Sequence, residues 1–168
     1  GYRNHHAGKW HIDGRPLDLG FDHSFEIGLG QNNFFKAPGN TDDGVPDVQT
    51  ADYYVTVATA DRSIKYLREH AEKFPQRPFY QYLCFTAPHF PLHALPEDIA
   101  KYRDRYLDGW DAMRTARFAR QQAMGLTKTT LSPLERDVGP PYAFPAATEK
   151  LGPGEVNRPL PWDELTPE

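Results

Sequence analysis

Cysteine is almost absent from the sequence, because Cys84 is the one cysteine among 168 residues. A single cysteine excludes an internal disulfide framework and a zinc site built from several thiolates. Long apolar runs are also missing, and no stretch approaches the ~20 residues that a membrane-spanning helix needs. The net charge is -4, and lysine and arginine form no dominant block. We therefore expect neither a membrane span nor a nucleic-acid-binding surface.

The remaining composition is typical of a globular domain, with 39% hydrophobic and 25% charged residues. Residues 1–12 and 25–29 have strand character, and residues 30–50 carry turn signals throughout. Apolar positions between residues 53 and 74 recur at spacings of three and four, which predicts a helix with one apolar face toward the core. The run 78–85 is almost wholly apolar or aromatic, which predicts a parallel strand buried on both faces. This order indicates an α/β fold.

The second half of the chain has weaker signals. Helices are predicted over residues 96–106 and 110–124, with Gly125 as the stop of the second. Prolines punctuate the rest without any sustained period. We therefore predict a domain over residues 1–126 and an irregular proline-rich extension of it over residues 127–168.

Three side chains are candidates for an anion site. Lys9 and His11 are two residues apart, so on an extended strand they share a face and could clamp an anion. By spacing alone, a solvated strand edge is the simpler interpretation. His89 follows the predicted buried strand, at the strand end where α/β proteins collect their ligands. Together the three could surround a small anion.

Other polar groups are interpreted as structural. His89 and His93 are four apart, but Pro88 and Pro91 interrupt the helix that a shared metal would need. The aspartates of the 30–50 loop lack the terminal glutamate of a calcium-binding EF-hand, and we interpret them as solvated: Asp42, Asp43 and Asp47. Cys84 lies in the most apolar stretch and is interpreted as an inert buried thiol. No metal ligands are predicted within the chain.

Three ordered motifs resemble the sulfatase family. Gly1-Tyr2 followed by Gly8-Lys9-Trp10-His11 resembles the family signature Gly-Tyr-x-Thr-x-x-x-Gly-Lys-Trp-His, with Asn4 in place of the threonine. Gly20-Phe21-Asp22 is similar to the Gly-Phe-Asp segment that follows it. Ala87-Pro88-His89-Phe90-Pro91 is similar to the later Ala-Pro-His-x-Pro stretch. The resemblance covers residues 1–126.

The resemblance implies a fold and a chemistry. The fold would be part of an alkaline-phosphatase-like mixed or parallel sheet flanked by helices, and the reaction would be hydrolysis of sulfate esters. The family uses a formylglycine nucleophile and a divalent cation, usually calcium. Lys9 would bind the sulfate oxygens, and His11 would hydrogen-bond the formylglycine hydrate and later take its proton. His89 would contact the sulfate ester and protonate the departing alcohol.

The sequence departs from the family pattern at the nucleophile and at the metal ligands. The sequence contains neither Cys-x-Pro-Ser-Arg nor Ser-x-Pro-Ser-Arg, so the formylglycine is expected upstream, and the calcium ligands are expected outside the chain. We therefore expect a central fragment that is inactive alone, from an enzyme acting on a small-molecule or glycan sulfate ester. A phosphoester or phosphonate hydrolase of the same superfamily and a non-catalytic binding module are the alternatives. The resemblance favours a periplasmic or secreted location, and the sequence leaves the oligomeric state open.

Overall fold

A mixed sheet of five strands organises the amino-terminal part of the chain. The computed structural model describes residues 1–28, 30, 33–134 and 162–165. The chain divides into two units, Gly1–Ala94 and Leu95–Glu168. The strands of the first unit are, in chain order, β1 (Arg3–Lys9), β2 (His23–Ile27), β3 (Thr41–Asp42), β4 (Val45–Pro46) and β5 (Phe79–Cys84). Their order across the sheet is β4-β3-β2-β1-β5.

Strand β1 lies between two parallel neighbours. His5 is level with His23 of β2 and with Gln81 of β5. Because parallel strands end at the same edge of a sheet, the segments after β1, β2 and β5 all leave from that edge. Strands β3 and β4 form an antiparallel hairpin beside β2. The prediction that residues 30–50 are entirely loop is therefore wrong, since strands of two residues are too short to show a period.

Strand β5 confirms one half of its prediction and contradicts the other. It pairs in parallel with β1, as expected from its apolar run. It is, however, the edge strand of the sheet among the described residues, and Phe79 and Tyr80 are 48% and 50% exposed. Cys84 is half-buried rather than enclosed. An apolar run indicates that the side chains of a strand favour burial. The described part of the chain buries the side chains of β5 only in part.

Helix α1 (Val55–Lys73) packs on the sheet with a different face from the predicted one. Its buried side chains are polar or aromatic for the most part: Val55, Thr59, Ser63, Tyr66 and His70. Val57 and Ile64, which belong to the predicted apolar face, are 46% and 45% exposed. The reason lies in the sheet, because the side chain that meets Tyr66 and His70 is the fully buried His5. The polar face of α1 therefore packs against the face of β1 that carries His5.

The interpretation as solvated is wrong for Asp42 and Asp47, whereas Asp43 is exposed. Arg62 of α1 binds Asp42 at 2.9 Å and Asp47 at 2.6 Å, and the Asp47 carboxylate is only 1% exposed. Burial alone would raise the pKa of Asp42, but hydrogen bonds from Lys65 and Tyr66 and the Arg62 charge hold that pKa below its usual value. Asp43 binds His23 at 2.7 Å. The hairpin is therefore held against α1 and β2 by charge.

We expect the substitution Arg62→Met to lower the free energy of unfolding of the chain by about 2–3 kcal/mol, because it leaves the buried Asp47 carboxylate without its cation. Urea unfolding followed by circular dichroism measures this change. Arg68→Met is the matched control, since Arg68 is an exposed arginine of the same helix. An equal loss in both variants would contradict the assignment.

The second unit contains the two other predicted helices. They are α2 (Pro96–Tyr102) and α3 (Gly109–Ala123), and α2 ends four residues before its predicted end. Gly125 follows α3 with φ of +72°, the left-handed conformation expected of a helix stop. Trp162 packs edge-on against Trp110, with ring centroids 5.0 Å apart. Residues 135–161 and 166–168 of the predicted irregular extension lie outside the described residues, and the predicted boundary at residue 126 stays a prediction.

In the described part of the chain, no helix combines the length and the apolar character that a bilayer-spanning segment requires.

Candidate functional site

The three predicted site residues lie on segments that leave the same edge of the sheet. Lys9 is the last residue of β1, level with Ile27 of β2, and is half-buried. His11 is exposed in the turn that follows β1. His89 is exposed in the segment after β5, the parallel neighbour of β1. No hydrogen bond or ion pair among the described residues joins these three side chains, so their shared role stays a prediction.

Gly8 lets the two strands approach closely beside Lys9. It has φ of +125°, and a Cβ atom built on it would lie 1.9 Å from the Cys84 carbonyl oxygen. That oxygen belongs to the backbone of β5, so no side-chain adjustment could make room. The glycine of the Gly-Lys-Trp-His motif therefore sets the separation of the carboxyl ends of β1 and β5, which carry Lys9 and lead to His89.

Trp10 holds the turn that carries His11. Its indole N–H donates a hydrogen bond of 2.8 Å to the Gly14 carbonyl, which closes the turn over His11. The indole ring packs edge-on against His6 and Phe21, with centroids 5.2 and 5.6 Å away. Trp10 thus fixes the backbone of the turn from the face opposite Lys9, and its role in the motif is structural.

The Gly20-Phe21-Asp22 segment is an anchor for β1. The Asp22 carboxylate binds the Arg3 guanidinium at 2.7 Å and accepts the Asn4 amide hydrogen at 2.8 Å. The Asn4 side chain donates to the Gly20 carbonyl at 3.1 Å. Asn4, which departs from the family threonine, therefore has a partner within the segment. The second motif explains how the first is held and supplies no reacting group.

His89 presents one defined nitrogen. Its Nδ1 lies 2.6 Å from the Phe90 carbonyl oxygen, and a carbonyl can only accept, so Nδ1 carries a proton. Its backbone N–H donates to the Thr86 carbonyl at 2.8 Å, which closes a tight turn after β5. Any proton that His89 gives to or takes from a ligand therefore passes through Nε2.

His5 and His6 point to opposite faces of β1, and both are fully buried. His6 Nδ1 lies 2.9 Å from the Ser24 hydroxyl. Neither ring nitrogen of His5 has a hydrogen-bond partner among the described residues. Burial lowers the pKa of His5, and the charges of His23, His70 and Arg3 lower it further. Burial also lowers the pKa of His6. The described residues contain no group of three or more histidine, cysteine, aspartate or glutamate side chains that could hold a metal ion.

The lowered pKa of His5 makes the fold sensitive to acid. Below about pH 6.5 the unfolded chain binds a proton that folded His5 refuses, so stability is full above that pH and is lost as the pH falls toward the folded-state pKa. We expect His5→Leu to reduce this pH dependence by up to about 1.4 kcal/mol per pH unit. Urea unfolding at pH 7.5, 6.5 and 5.5 measures it. Parallel pH profiles of the two proteins would contradict the assignment.

The geometry first defines a class. A lysine at the end of a parallel strand, with a histidine turn beside it and a histidine segment after the neighbouring parallel strand, is typical of an α/β protein that binds a small anion at its strand ends. The comparisons with known proteins then identify the family. The model of the sulfatase family matches residues 1–139, and the chain belongs to the sulfatase family.

Individual relatives agree with this membership. The chain is 30% identical over 188 aligned positions to an uncharacterized sulfatase of Schizosaccharomyces pombe, an alignment that covers 100% of this chain and 30% of the relative. It is 31% identical over 154 positions to an arylsulfatase of Klebsiella aerogenes, covering 82% of this chain and 32% of the relative. The chain thus spans about a third of the length of these curated relatives.

Solved structures share the fold. Ps i-CgsB, solved with k-i-k-neocarrahexaose, is 26% identical with a TM-score of 0.53 and covers 60% of this chain and 27% of its own. BT4656, solved with its substrate D-glucosamine-2-N,6-O-disulfate, is 25% identical with a TM-score of 0.51 and covers 64% of this chain and 20% of its own. The predicted α/β fold, part of an alkaline-phosphatase-like mixed sheet flanked by helices, is confirmed.

Proposed function

We propose that these 168 residues are part of a sulfuric ester hydrolase and contribute Lys9, His11 and His89 to its sulfate pocket. The observation that carries the proposal is the family match over residues 1–139, which includes all three side chains. The parallel pairing of β1 with β5 supports it, because it directs the segments that carry Lys9 and His89 to one edge of the sheet.

Each side chain suits one task in the reaction. The Lys9 ammonium stabilises negative charge on the sulfate oxygens as the S–O bond of the ester breaks. His11, exposed in the adjoining turn, accepts a proton during release of the sulfate. His89, protonated on both ring nitrogens, donates the Nε2 proton to the oxygen of the departing alcohol, and Nδ1 keeps its proton because the Phe90 carbonyl engages it. The products are an alcohol and inorganic sulfate.

The nucleophile and the divalent cation would come from other sequence. The described residues provide no cluster that fits a metal ion, and the sequence contains no formylglycine motif. A formylglycine would supply the attacking oxygen, and calcium would supply positive charge at the sulfate. The solved relative BT4656 has a sulfated glucosamine as its substrate. We therefore propose a small-molecule or glycan sulfate ester as the substrate here.

The test compares the full-length polypeptide that contains this sequence with the 168-residue chain. Both are assayed with calcium for hydrolysis of 4-nitrophenyl sulfate and of 4-nitrophenyl phosphate. We expect the full-length protein to hydrolyse the sulfate ester and the chain alone to be inactive. A preference for the phosphate ester would favour the phosphoester hydrolase, and no turnover of either would favour a binding module. Turnover by the chain alone would overturn the proposal that the nucleophile lies elsewhere.

A further inference from the structure

His93 connects the segment after β5 with the loop that precedes α1. The Phe34 backbone N–H donates a hydrogen bond of 3.2 Å to His93 Nδ1, across 59 positions of sequence. The imidazole also packs against the rings of Phe34 and Phe35, with centroids 5.5 and 5.4 Å away. The His93 carbonyl accepts a hydrogen bond of 3.0 Å from the Tyr54 hydroxyl. Both the ring and the backbone of His93 are therefore held.

The partners of His93 are themselves fixed. The Phe34 side chain is fully buried, and the Phe34 carbonyl accepts the Val55 amide hydrogen at 2.9 Å, at the first residue of α1. Tyr54 is buried at the start of the same helix and stacks on Phe35 with centroids 4.9 Å apart. His93 thus ties its segment to the amino-terminal end of α1, which packs on the sheet.

The hydrogen bonds assign opposite roles to the Nδ1 atoms of the two histidines. An amide N–H can only donate, so Nδ1 of His93 is an unprotonated acceptor and its proton is on Nε2. Nδ1 of His89 carries a proton, because it faces a carbonyl. Four residues apart, one imidazole presents Nε2 outward and the other uses Nδ1 for a structural bond. His89 can therefore act on a ligand through Nε2, whereas His93 holds the fold through Nδ1.

The residues between them have few anchors of their own. Phe90 and Leu92 are each 77% exposed. At the amino-terminal side of the segment, the His89 amide binds the carbonyl of Thr86, two residues after the end of β5. The carboxyl-terminal side is held by the hydrogen bonds of His93 with Phe34 and Tyr54. The backbone path that carries His89 therefore depends on these two attachments, and the Nδ1 bond to the Phe90 carbonyl orients the ring on that backbone.

We propose that His93 is a positioning residue for His89: by accepting the Phe34 amide hydrogen at Nδ1, it fixes the segment that aims His89 Nε2 at the leaving oxygen. This inference rests on the proposed function of His89 as the proton donor. His93 makes no contact with the substrate in this proposal. The hydrogen-bond acceptor at the Nδ1 position is the feature of His93 that positions His89. A side chain with an acceptor in that place should substitute for histidine.

Two variants of similar polarity separate acceptor geometry from general loss of packing. In His93→Asn the amide oxygen can occupy the position of Nδ1, whereas in His93→Gln the amide reaches the position of Nε2. We expect His93→Gln to lower kcat of the full-length protein by roughly 10- to 100-fold with little change in KM, and His93→Asn to retain most of the activity. Equal losses in the two variants would overturn the proposal.

The leaving group gives a readout that a merely structural role would not move. A misaligned proton donor matters most when the alcohol is a poor leaving group, so the loss in His93→Gln should be greater for an alkyl sulfate than for 4-nitrophenyl sulfate. Adding His93→Gln to His89→Gln should cause little further loss, because the two residues act as a unit. A loss that is independent of the leaving group, or additive, would overturn the positioning role.

A spectroscopic measurement keeps this inference separate from the proposed function. If the wild-type protein hydrolyses no sulfate ester, the proposed function fails by itself. NMR of protein labelled at histidine and phenylalanine then decides the positioning. Shifts of the His89 ring and of the Phe34 amide in His93→Gln but not in His93→Asn support it. An unchanged His89 ring in both variants overturns it.

Discussion

Replacing Lys9 with methionine should lower kcat/KM of the full-length protein for 4-nitrophenyl sulfate by about 10²–10³-fold, the usual cost of removing one preorganised charge from a developing oxyanion. Lys9 ends a strand whose preceding residue, Gly8, is locked against the Cys84 carbonyl. The backbone therefore cannot shift to bring another cation into place. Among the described residues no ion pair or hydrogen bond engages the Lys9 ammonium, so the loss is a loss of ligand contact rather than of fold.

Two further variants give this experiment its controls. Lys73→Met removes a lysine that is exposed near the end of α1 and pairs with Glu69 at 3.1 Å, and it should leave kcat/KM unchanged. Lys9→Arg keeps the charge but replaces a compact ammonium with a planar fork, so we expect intermediate activity. Urea unfolding should show equal stability for the Lys9 variants and the wild type. Activity of Lys9→Met within twofold of wild type would contradict the role of Lys9.

The helices and the longer strands could be predicted because their signals are local, whereas the two-residue strands β3 and β4 could not. An apolar run of eight residues predicts a strand, and a spacing of three and four predicts a helix, wherever the partners are. Which face of a helix is buried is a property of the surface it meets. The polar face of α1 is buried because His5 and His23 line the sheet beneath it, with His23 stacked on Tyr66 at 4.8 Å. No pattern within residues 53–74 contains that information.

The candidate site also contains residues that could be predicted from the sequence and residues that could not. Lys9, His11 and His89 are found from the sequence because they lie within short motifs. The residues that hold them are only partly visible there, since each acts through a contact distant in sequence. Asp22 binds Arg3 across 19 positions, and His93 binds Phe34 across 59. His93 could be weighed from sequence only as a metal ligand, because nothing near it indicates the Phe34 amide as its partner.

Gly8→Ala should lower the free energy of unfolding by roughly 3–5 kcal/mol, the largest stability loss we expect from a single methyl group in this chain. Two costs combine. The backbone at φ of +125° disfavours any residue with a Cβ atom, and that atom would meet the Cys84 carbonyl oxygen at 1.9 Å. Relief requires the carboxyl end of β5 to separate from β1, which also moves the segment that carries His89 away from Lys9.

Gly20→Ala is a control for Gly8→Ala, because it imposes backbone strain without a steric clash. Gly20 also has a positive φ, +97°, but a Cβ atom there would meet no atom within 4 Å, so we expect a loss of only about 1–2 kcal/mol. Urea unfolding of both variants measures the difference between them, which combines the clash with the greater backbone strain at φ of +125°. Hydrogen exchange should show faster exchange of β5 amides in Gly8→Ala and unchanged exchange in Gly20→Ala. Equal losses in the two variants would mean that backbone strain, and not the approach of β5 to β1, is the reason that glycine precedes Lys9.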